Sequence, residues 1–381
     1  MKWIADQAGL EAALAHIGES PEFAIDTEAD SLHSYFDKVC LVQITAAGED
    51  FIIDPLAKID LAPLGRLFAD ASIRKVLHGA DYDLRILNRD FGFELHNLAD
   101  TMICAQLLGY EAIGLAALLQ RHFGLAVDKS HQRADWAQRP LNAEMLAYAA
   151  TDTHHLSELA AILQRELEAL GRWEWAVEEF ERLEQIRFAP TVDEESWRKV
   201  KGSSRLERRP LAAVKRLHAW RDRVARELDR PPFKVLGNEA INEIATHLPR
   251  TSEALSRVKG LASWHLRKWG GELLSIVEEV IGLPEEQLPE KVPTKPWLRD
   301  RELERVIDTL KRARDHVAKD LHIDSSILAP KHVLAAVAEM DPQTAEELAS
   351  IPAMRRWQRA LLARTLLEAL DQDRGKRAKR V

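Results

Sequence analysis

The sequence of 381 residues predicts a mixed α/β domain followed by two small all-helical domains. Three strand-like runs near the N-terminus, expected to pair antiparallel, are followed by helices alternating with one more strand, which is typical of a mixed sheet. Beyond Phe188-Ala189-Pro190, every predicted segment is helix or loop. The predicted boundaries are residues 1–190 for the α/β domain, 207–288 and 297–373 for the helical domains, and 374–381 for a basic tail.

The α/β domain is expected to begin with an amphipathic helix at residues 6–17, whose leucines and isoleucine share one face. The first strand covers Phe23–Glu28. Two further strand-like runs, 39–44 and 50–54, flank the turn signal Gly48-Glu49 and predict a hairpin. The remaining predicted elements are a strand at 75–78 and helices at 61–68, 81–89, 98–108, 115–122, 143–170 and 173–187.

The composition indicates a globular protein of a reducing compartment. Hydrophobic residues make up 46% of the chain and charged residues 30%, which suffices for a packed core. The two cysteines, Cys40 and Cys104, lie in apolar runs and are interpreted as small buried hydrophobic residues rather than a disulfide framework. The sequence contains neither a signal-peptide core nor an apolar run approaching the ~20 residues of a membrane span. We therefore expect a cytoplasmic protein with no membrane contact.

The charge distribution predicts a polyanion-binding surface despite a net charge of −8. The stretch Arg198–Lys234 contains thirteen lysines and arginines against four acids, a local balance of +9. This excess favours a surface that faces a polyanion. For the basic residues after Arg374, a solvated tail is the favoured interpretation.

An internal repeat supports two copies of one helical domain. Ala225-Arg226-Glu227-Leu228 resembles Ala318-Lys319-Asp320-Leu321, and Thr251–Leu255 resembles Thr344–Leu348. Trp264 falls opposite Trp357 at nearly the same offset.

Carboxylates follow two of the predicted strands. Asp26 and Glu28 are two residues apart on a strand and so point to the same face. Such a pair is strained unless a cation lies between the two acids, although a solvated turn can show the same residues. Asp83 comes just after the strand at 75–78 and is a candidate third carboxylate at the same edge of the sheet.

A fourth carboxylate, Asp152, is predicted on a helix one turn after Tyr148. A tyrosine and an aspartate on a helix surface can also be purely structural. Four convergent carboxylates can hold two divalent ions, and oxygen ligands select Mg²⁺ or Mn²⁺. That arrangement suits in-line displacement at phosphorus, with the Tyr148 hydroxyl orienting the attacking water.

These motifs resemble a known family. Asp26-x-Glu28, Tyr82-Asp83 and Tyr148-x-x-x-Asp152 look like the three motifs of the tyrosine-bearing DEDD exonucleases. The stretch Gly114–Leu141 is similar to the ribonuclease D family, and the C-terminal repeats resemble HRDC domains. The resemblance implies an RNase H-like fold and a 3′–5′ exoribonuclease that releases nucleoside 5′-monophosphates from tRNA precursors and other structured small RNAs.

Candidate substrate-binding residues surround these motifs. The loop 129–139 offers Lys129, Gln132, Trp136 and Arg139, with cations for phosphates and an aromatic ring for stacking. A surface loop held by a packed tryptophan is the alternative. Thr27 and His78 adjoin the carboxylates and are expected to contact the terminal nucleotide. In the first helical repeat, bases alternate with aromatic residues from Lys259 to Trp269, which either RNA contact or core packing explains.

Two other functions remain open at this point. The carboxylates would serve a DNA 3′–5′ exonuclease equally well, because telling RNA from DNA requires contacts to the 2′-hydroxyl. An inert nuclease domain carried by RNA-binding repeats is the second alternative, although all four acids are present. The sequence has no Gly-x-x-x-x-Gly-Lys-Ser/Thr loop, so we expect no helicase activity and no nucleotide cofactor. A monomer is the expected state.

Overall fold

The computed structural model describes residues 1–127, 130–190, 195–291 and 301–378. Six strands form one mixed sheet in the order β1-β4-β3-β2-β5-β6. β2 is antiparallel to β3 and parallel to β5, and the pairs β1/β4 and β5/β6 are also parallel. The strands are β1 Lys2–Ile4, β2 Glu22–Ala29, β3 Val39–Ala46, β4 Glu49–Ile53, β5 Arg74–Leu77 and β6 Leu98–Asp100.

Helices cover the sheet because its strands are apolar. Every residue of β3 is buried, which is typical of a strand covered on both faces. The two cysteines are buried as predicted. The helices of this part are α1 Gln7–Gly18, α2 Ala62–Ala69, α3 Asp81–Phe91, α4 Thr101–Leu108, α5 Leu115–Phe123, α6 Ala143–His154, α7 Leu156–Ala169 and α8 Trp173–Leu183.

The structure differs from the predicted elements in three places. The sequence analysis missed β1, which is only three residues long. The predicted helix at 98–108 starts with β6, because Leu98–Asp100 pairs with β5 before Asp100 caps α4. The predicted helix at 143–170 is two helices, because His155 leaves helical geometry with φ −104°.

The two helical repeats have the same sequence of helices. Copy 1 consists of α9 Arg208–Glu227, α10 Pro232–Val235, α11 Asn238–His247, α12 Ser252–Ser256 and α13 Ser263–Gly282. Copy 2 consists of α14 Arg301–Leu321, α15 Ser325–Leu328, α16 Lys331–Met340, α17 Ala345–Ala349 and α18 Arg356–Ala378. Thr251 and Thr344 cap the fourth helix of their copies with their hydroxyls, as expected of a true repeat.

The contacts within the chain divide it into two compact units. One unit contains the α/β domain together with copy 2, and their buried side chains form one continuous core. The other unit contains copy 1 with the loop Asp30–Lys38, and its core is separate. In the described part of the chain, no helix is both long and apolar enough to cross a lipid bilayer.

Candidate active site

The site starts from the central strand β2. Asp26 and Glu28 point to the same face of this strand, and the register breaks just after Glu28, at Ala29. Such irregularities often occur beside active sites, where they re-aim a side chain. Asp26, Glu28 and Asp152 each offer a carboxylate oxygen, and the three oxygens lie within 4.8 Å of one another. The predicted convergence of these acids is therefore present in the structure.

Asp83 approaches the same place from the first turn of α3. Its side chain is buried, and its carboxylate accepts a hydrogen bond from the Thr27 hydroxyl. Thr27 is itself buried between the two acids of β2, so its hydroxyl fixes Asp83. Neighbouring Asp81 behaves differently, because it is exposed and pairs with Arg85 at 2.8 Å.

Tyr148 and Asp152 lie one turn apart on α6, which contacts β2, β3 and β4. Asn142 caps this helix by accepting a hydrogen bond from the Met145 amide at 2.8 Å. The Tyr148 ring packs 5.9 Å from the rings of both His131 and Trp136. The phenol is therefore held between the carboxylate cluster and the loop that precedes α6.

Burial raises the pKa values of all four acids, and repulsion within the cluster adds to the effect at Asp26 and Glu28. Burial, followed by the charges of the other three acids, holds the pKa of Asp26 well above its usual range. Burial, followed by the charges of Asp152 and Asp83, raises the pKa of Glu28 to about 9. Burial raises the pKa of Asp83 and of Asp152 to about 6. Four carboxylates in this setting need positive charge to be ionised together near neutral pH.

The donor atoms of this cluster fit a hard divalent cation. Carboxylate oxygens are the ligands that Mg²⁺ and Mn²⁺ prefer, and the structure brings three of them within reach of one ion. Asp83 lies outside that triplet, but its charge acts on both acids of β2. Divalent-metal dependence is accordingly a property of this site.

His78 directly follows β5, whose Val76 pairs with Ala24 of β2, two residues before Asp26. Its Nδ1 lies 2.9 Å from the hydroxyl of Thr101, which itself donates to the Leu77 carbonyl. Because the Thr101 hydroxyl proton is donated to Leu77, the Thr101 oxygen can only accept from His78. The His78 Nδ1 therefore carries the proton, and Nε2 has the free lone pair. Burial lowers the pKa of His78 and favours this neutral form.

Two predicted substrate-binding residues have structural roles instead. Trp136 is 1% exposed and packs in a core with Met145 and Ala149, so its ring offers no free face for stacking. Arg139 is paired with the buried carboxylate of Asp54 at 2.6 Å and also donates to three backbone carbonyls. The structure therefore favours the alternative interpretation, a loop held by a packed tryptophan.

The rest of the loop is more open. Gln132 is exposed, and Lys129 lies outside the described residues. A cavity of about 470 Å³ lies next to Tyr148, between His131 and Glu144. The cavity is large enough for a nucleotide, and its place beside Tyr148 keeps the predicted role of this loop open.

Two residues of the site were missed by sequence reasoning. Gln43 pairs with Asp26 across the β2/β3 ladder, is fully buried, and both polar atoms of its amide lack a hydrogen-bond partner among the described residues. Its signal was a single polar residue in the otherwise apolar predicted run 39–44. Asp100 accepts hydrogen bonds from the Gly79 and Ala80 amides and so fixes the turn after His78. The predicted helix at 98–108 hid this aspartate.

Comparisons with known proteins agree with the geometry. Residues 1–168 match the family model described as 3′-5′ exonuclease, and residues 211–277 and 304–370 each match the HRDC domain. Ribonuclease D of Sphingobium indicum is 34% identical, over 88% of this chain and 87% of that protein. Ribonuclease D of Acidiphilium cryptum is 31% identical, over 94% of this chain and 90% of that protein.

Two solved structures are similar over long stretches. The crystal structure of Escherichia coli RNase D, described as an exoribonuclease involved in structured RNA processing, has a TM-score of 0.70 at 28% identity. That match covers 97% of this chain and 98% of the other. The catalytic core of RRP6 from Trypanosoma brucei has a TM-score of 0.67 at 32% identity, covering 74% of this chain and 79% of the other.

Proposed function

The chain belongs to the ribonuclease D family of 3′–5′ exoribonucleases, and from this premise we propose how its acidic cluster acts and on which RNAs. The proposed substrates are tRNA precursors and other structured small RNAs, cleaved by two Mg²⁺ or Mn²⁺ ions. The observation that carries the proposal is the meeting of three carboxylate oxygens within 4.8 Å, with Asp83 adding charge beside them. The metal ligands are Asp26, Glu28, Asp83 and Asp152.

The side chains of the site have separate tasks in this mechanism. Bound divalent ions would lower the pKa of a water molecule and offset the charge that develops on the phosphate. Asp26, Glu28, Asp83 and Asp152 would hold the cations, and Thr27 keeps Asp83 in place through its hydroxyl. The Tyr148 phenol orients the attacking water by accepting or donating one hydrogen bond. Neutral His78 offers Nε2 as an acceptor to the ribose of the terminal nucleotide.

Similarity to the RNase D of Escherichia coli supports the choice of structured RNA, because that protein is described as acting on it. The net charge of −8 with a concentrated basic stretch supports a specific RNA surface rather than general adhesion. We further propose that the chain acts as a cytoplasmic monomer. The division at residues 1–190, 207–288 and 297–373 is part of the same proposal.

A degradation time course tests the activity. RNA and DNA strands of equal sequence, labelled at the 5′ end, are incubated with Mg²⁺, with Mn²⁺ or with EDTA. We expect a ladder of shortening RNA that needs metal and that slows at least 100-fold in Asp152→Asn, because one metal ligand is lost. Asp81→Asn is the matched control and should keep wild-type activity, since Asp81 faces solvent and pairs with Arg85.

Other outcomes would overturn parts of the proposal. Full activity in EDTA would contradict the metal mechanism. Faster shortening of DNA than of RNA would identify a DNA exonuclease. Equal rates on a tRNA precursor with a 3′ extension and on an unstructured RNA would argue against tRNA maturation. Calorimetric titration with Mn²⁺ should give two ions per chain, and a single ion would contradict the two-metal arrangement.

A further inference from the structure

The internal repeat lets each helical copy serve as a reference for the other. The two copies align at a constant offset of 93 residues, as from Arg221 to Arg314. Both arginines are buried and donate to the backbone at equivalent carbonyls, Leu236 in copy 1 and Ala329 in copy 2. Equivalent surfaces of the two copies can therefore be compared residue by residue.

In copy 2, the exonuclease helix α8 covers the start of α18, and Glu179 of α8 lines a cavity together with Ser326 and Ile327 of α15. Trp357 stacks on Trp175 with ring centroids 5.1 Å apart, and its indole nitrogen donates to Glu179 at 2.9 Å. Arg355 pairs with Glu179 at 3.0 Å, and Arg356 pairs with Glu181 at 2.8 Å. This face of the repeat thus binds an aromatic ring together with anions.

The equivalent face of copy 1 exposes large aromatic side chains. Trp264, the counterpart of Trp357, is 40% exposed, whereas Trp357 is 5% exposed. Phe233 on α10 is 56% exposed. Trp264 is held on one side by the His265 ring, whose centroid is 3.7 Å away, and the Trp269 ring packs against it at 5.4 Å. The His265 Nδ1 in turn accepts a hydrogen bond from the Ala262 amide at 3.0 Å. The indole is therefore a fixed platform with one side open.

The charged residues on this face differ between the two copies. Lys234, Arg267 and Lys268 of copy 1 are exposed, and within the described residues none forms an ion pair. Their counterparts in copy 2 are Ile327, Ala360 and Leu361, which suit contact with protein. Conversely, the carboxylate-binding Arg355 and Arg356 are replaced in copy 1 by Ala262 and Ser263.

We propose that this aromatic–basic face of copy 1 (Phe233, Lys234, Trp264, Arg267 and Lys268) binds unpaired nucleotides of the RNA substrate. Bases stack on any flat aromatic ring, and the three cations without ion-pair partners match the charge of the phosphates. An acidic protein helix is disfavoured because the arginines that bind one in copy 2 are absent here. The inference rests on the proposed function, since it assigns a second contact region to the same substrate.

Binding by the full-length chain tests the face separately from catalysis. Fluorescence anisotropy is measured with a labelled single-stranded RNA of twenty nucleotides in EDTA, so that no cleavage occurs. Trp264→Ala should weaken binding about tenfold, whereas Trp264→Phe should retain most of the affinity because a ring remains for stacking. Lys268→Ala should lower the slope of log K against log salt by about 0.7, the value for one phosphate contact on a single strand.

Controls separate this proposal from the exonuclease itself. Arg250→Ala removes an exposed cation elsewhere on copy 1 and should leave the salt slope unchanged. Cleavage of a dinucleotide, too short to reach a second contact region, should proceed at the wild-type rate in Trp264→Ala. A wild type that shortens neither the dinucleotide nor a longer RNA in the presence of metal would instead reject the proposed function. Unchanged RNA affinity in Trp264→Ala would overturn the inference. It would also be overturned if, without RNA, the wild type sedimented as a larger species than Trp264→Ala, because this face would then bind a second copy of the chain.

Discussion

At the scale of single residues, the acidic cluster concentrates more negative charge than a folded protein tolerates without cations. Each acid is buried enough for its pKa to be raised, and the charges of the other acids raise the pKa values of Asp26 and Glu28 further. The metal-free cluster therefore keeps protons at pH values where exposed carboxylates have lost them. Stability and metal binding should consequently depend on pH together.

The first prediction concerns this linkage. Between about pH 5 and 8 the metal-free native state binds more protons at the cluster than the unfolded chain does, because Asp83 and Asp152 titrate at about 6 and Glu28 at about 9. Because the pKa values of these acids are raised in the folded state, their protonation contributes to the free energy of unfolding. This contribution is fully present below the pKa values of the unfolded chain, near 4, and is lost as pH rises through the pKa values of the folded state. Asp26→Asn removes part of the repulsion, so in EDTA it should be more stable than wild type at pH 8.

Urea denaturation at pH 5 and pH 8 measures this difference, and the excess stability of Asp26→Asn should shrink at pH 5. Comparing two variants cancels groups that titrate with the opposite sign, such as His78, whose pKa burial lowers. Mg²⁺ should stabilise the wild type more at pH 8 than at pH 5, because metal ligands must be deprotonated. If the difference in free energy of unfolding between Asp26→Asn and wild type were the same at pH 5 and pH 8, repulsion among the clustered carboxylates would be contradicted.

The second prediction concerns Gln43, whose amide is buried opposite Asp26. If the amide had no role, replacing it by methionine of similar size should be neutral or stabilising, because a buried unpaired polar group is costly. We expect Gln43→Met to keep the thermal stability but to lower kcat about tenfold, because the unpaired amide beside Asp26 is available to hydrogen-bond a group that is present only when metal and substrate are bound. Wild-type kcat and an unchanged Mg²⁺ requirement in this variant would show that Gln43 is only structural.

At the scale of secondary-structure elements, close packing of helices positions the strand β2, which carries Asp26 and Glu28. Gly65 on α2 is one such position, because a β-carbon there would lie 2.5 Å from the Phe93 ring. Phe93 is buried and packs on Phe68, which in turn packs on Phe23 of β2. Helix α2 can therefore pack this closely against Phe93 only because residue 65 is a glycine.

The third prediction follows from this contact. Gly65→Ala should destabilise the protein by about 1–2 kcal/mol, because overpacking the core costs more than the ~1 kcal/mol that alanine gains over glycine in a helix. Phe93→Leu in the same chain should restore part of the loss by making room. Gly270→Ala in α13 is the control, since nothing lies near its β-carbon, and it should be neutral or stabilising in thermal denaturation.

At the scale of the whole molecule, the two copies of the repeat are used differently. Copy 2 shares its core with the exonuclease domain, while copy 1 has a core of its own. Arg172 joins the exonuclease domain to copy 2, because it donates to the Leu107 carbonyl at 2.8 Å and to the Leu321 carbonyl at 2.7 Å. Gly109 has a positive φ and would collide with the His322 backbone if it carried a side chain.

The fourth prediction tests this docking. Arg355→Ala should lower the free energy of unfolding by about 1–3 kcal/mol, because it leaves the poorly exposed carboxylate of Glu179 without its guanidinium partner. A double-mutant cycle with Glu179→Ala should give a coupling of about 1–2 kcal/mol, and hydrogen exchange should accelerate together in α8 and α18. Matching exchange rates in variant and wild type would indicate that copy 2 is held mainly by other contacts.

The sequence by itself determined which residues are the candidates for the chemistry. Asp26, Glu28, Asp83, Tyr148 and Asp152 were found from strand alternation, helix spacing and the ends of predicted elements, because these local rules depend only on neighbouring residues. The repeat was found in the same way. Local rules also predicted the order of most helices and strands, and they failed at β6 and at His155, where pairing and packing override propensity.

Only the tertiary structure decided the roles that depend on burial. Trp136 and Arg139 are suitable residue types for RNA contact, but packing and the Asp54 carboxylate use them for structure. Trp264 and Trp357 are equivalent in sequence, yet one is open and the other covered. Exposure is a property of what folds against a residue from far along the chain, so the sequence pattern around a tryptophan cannot fix it.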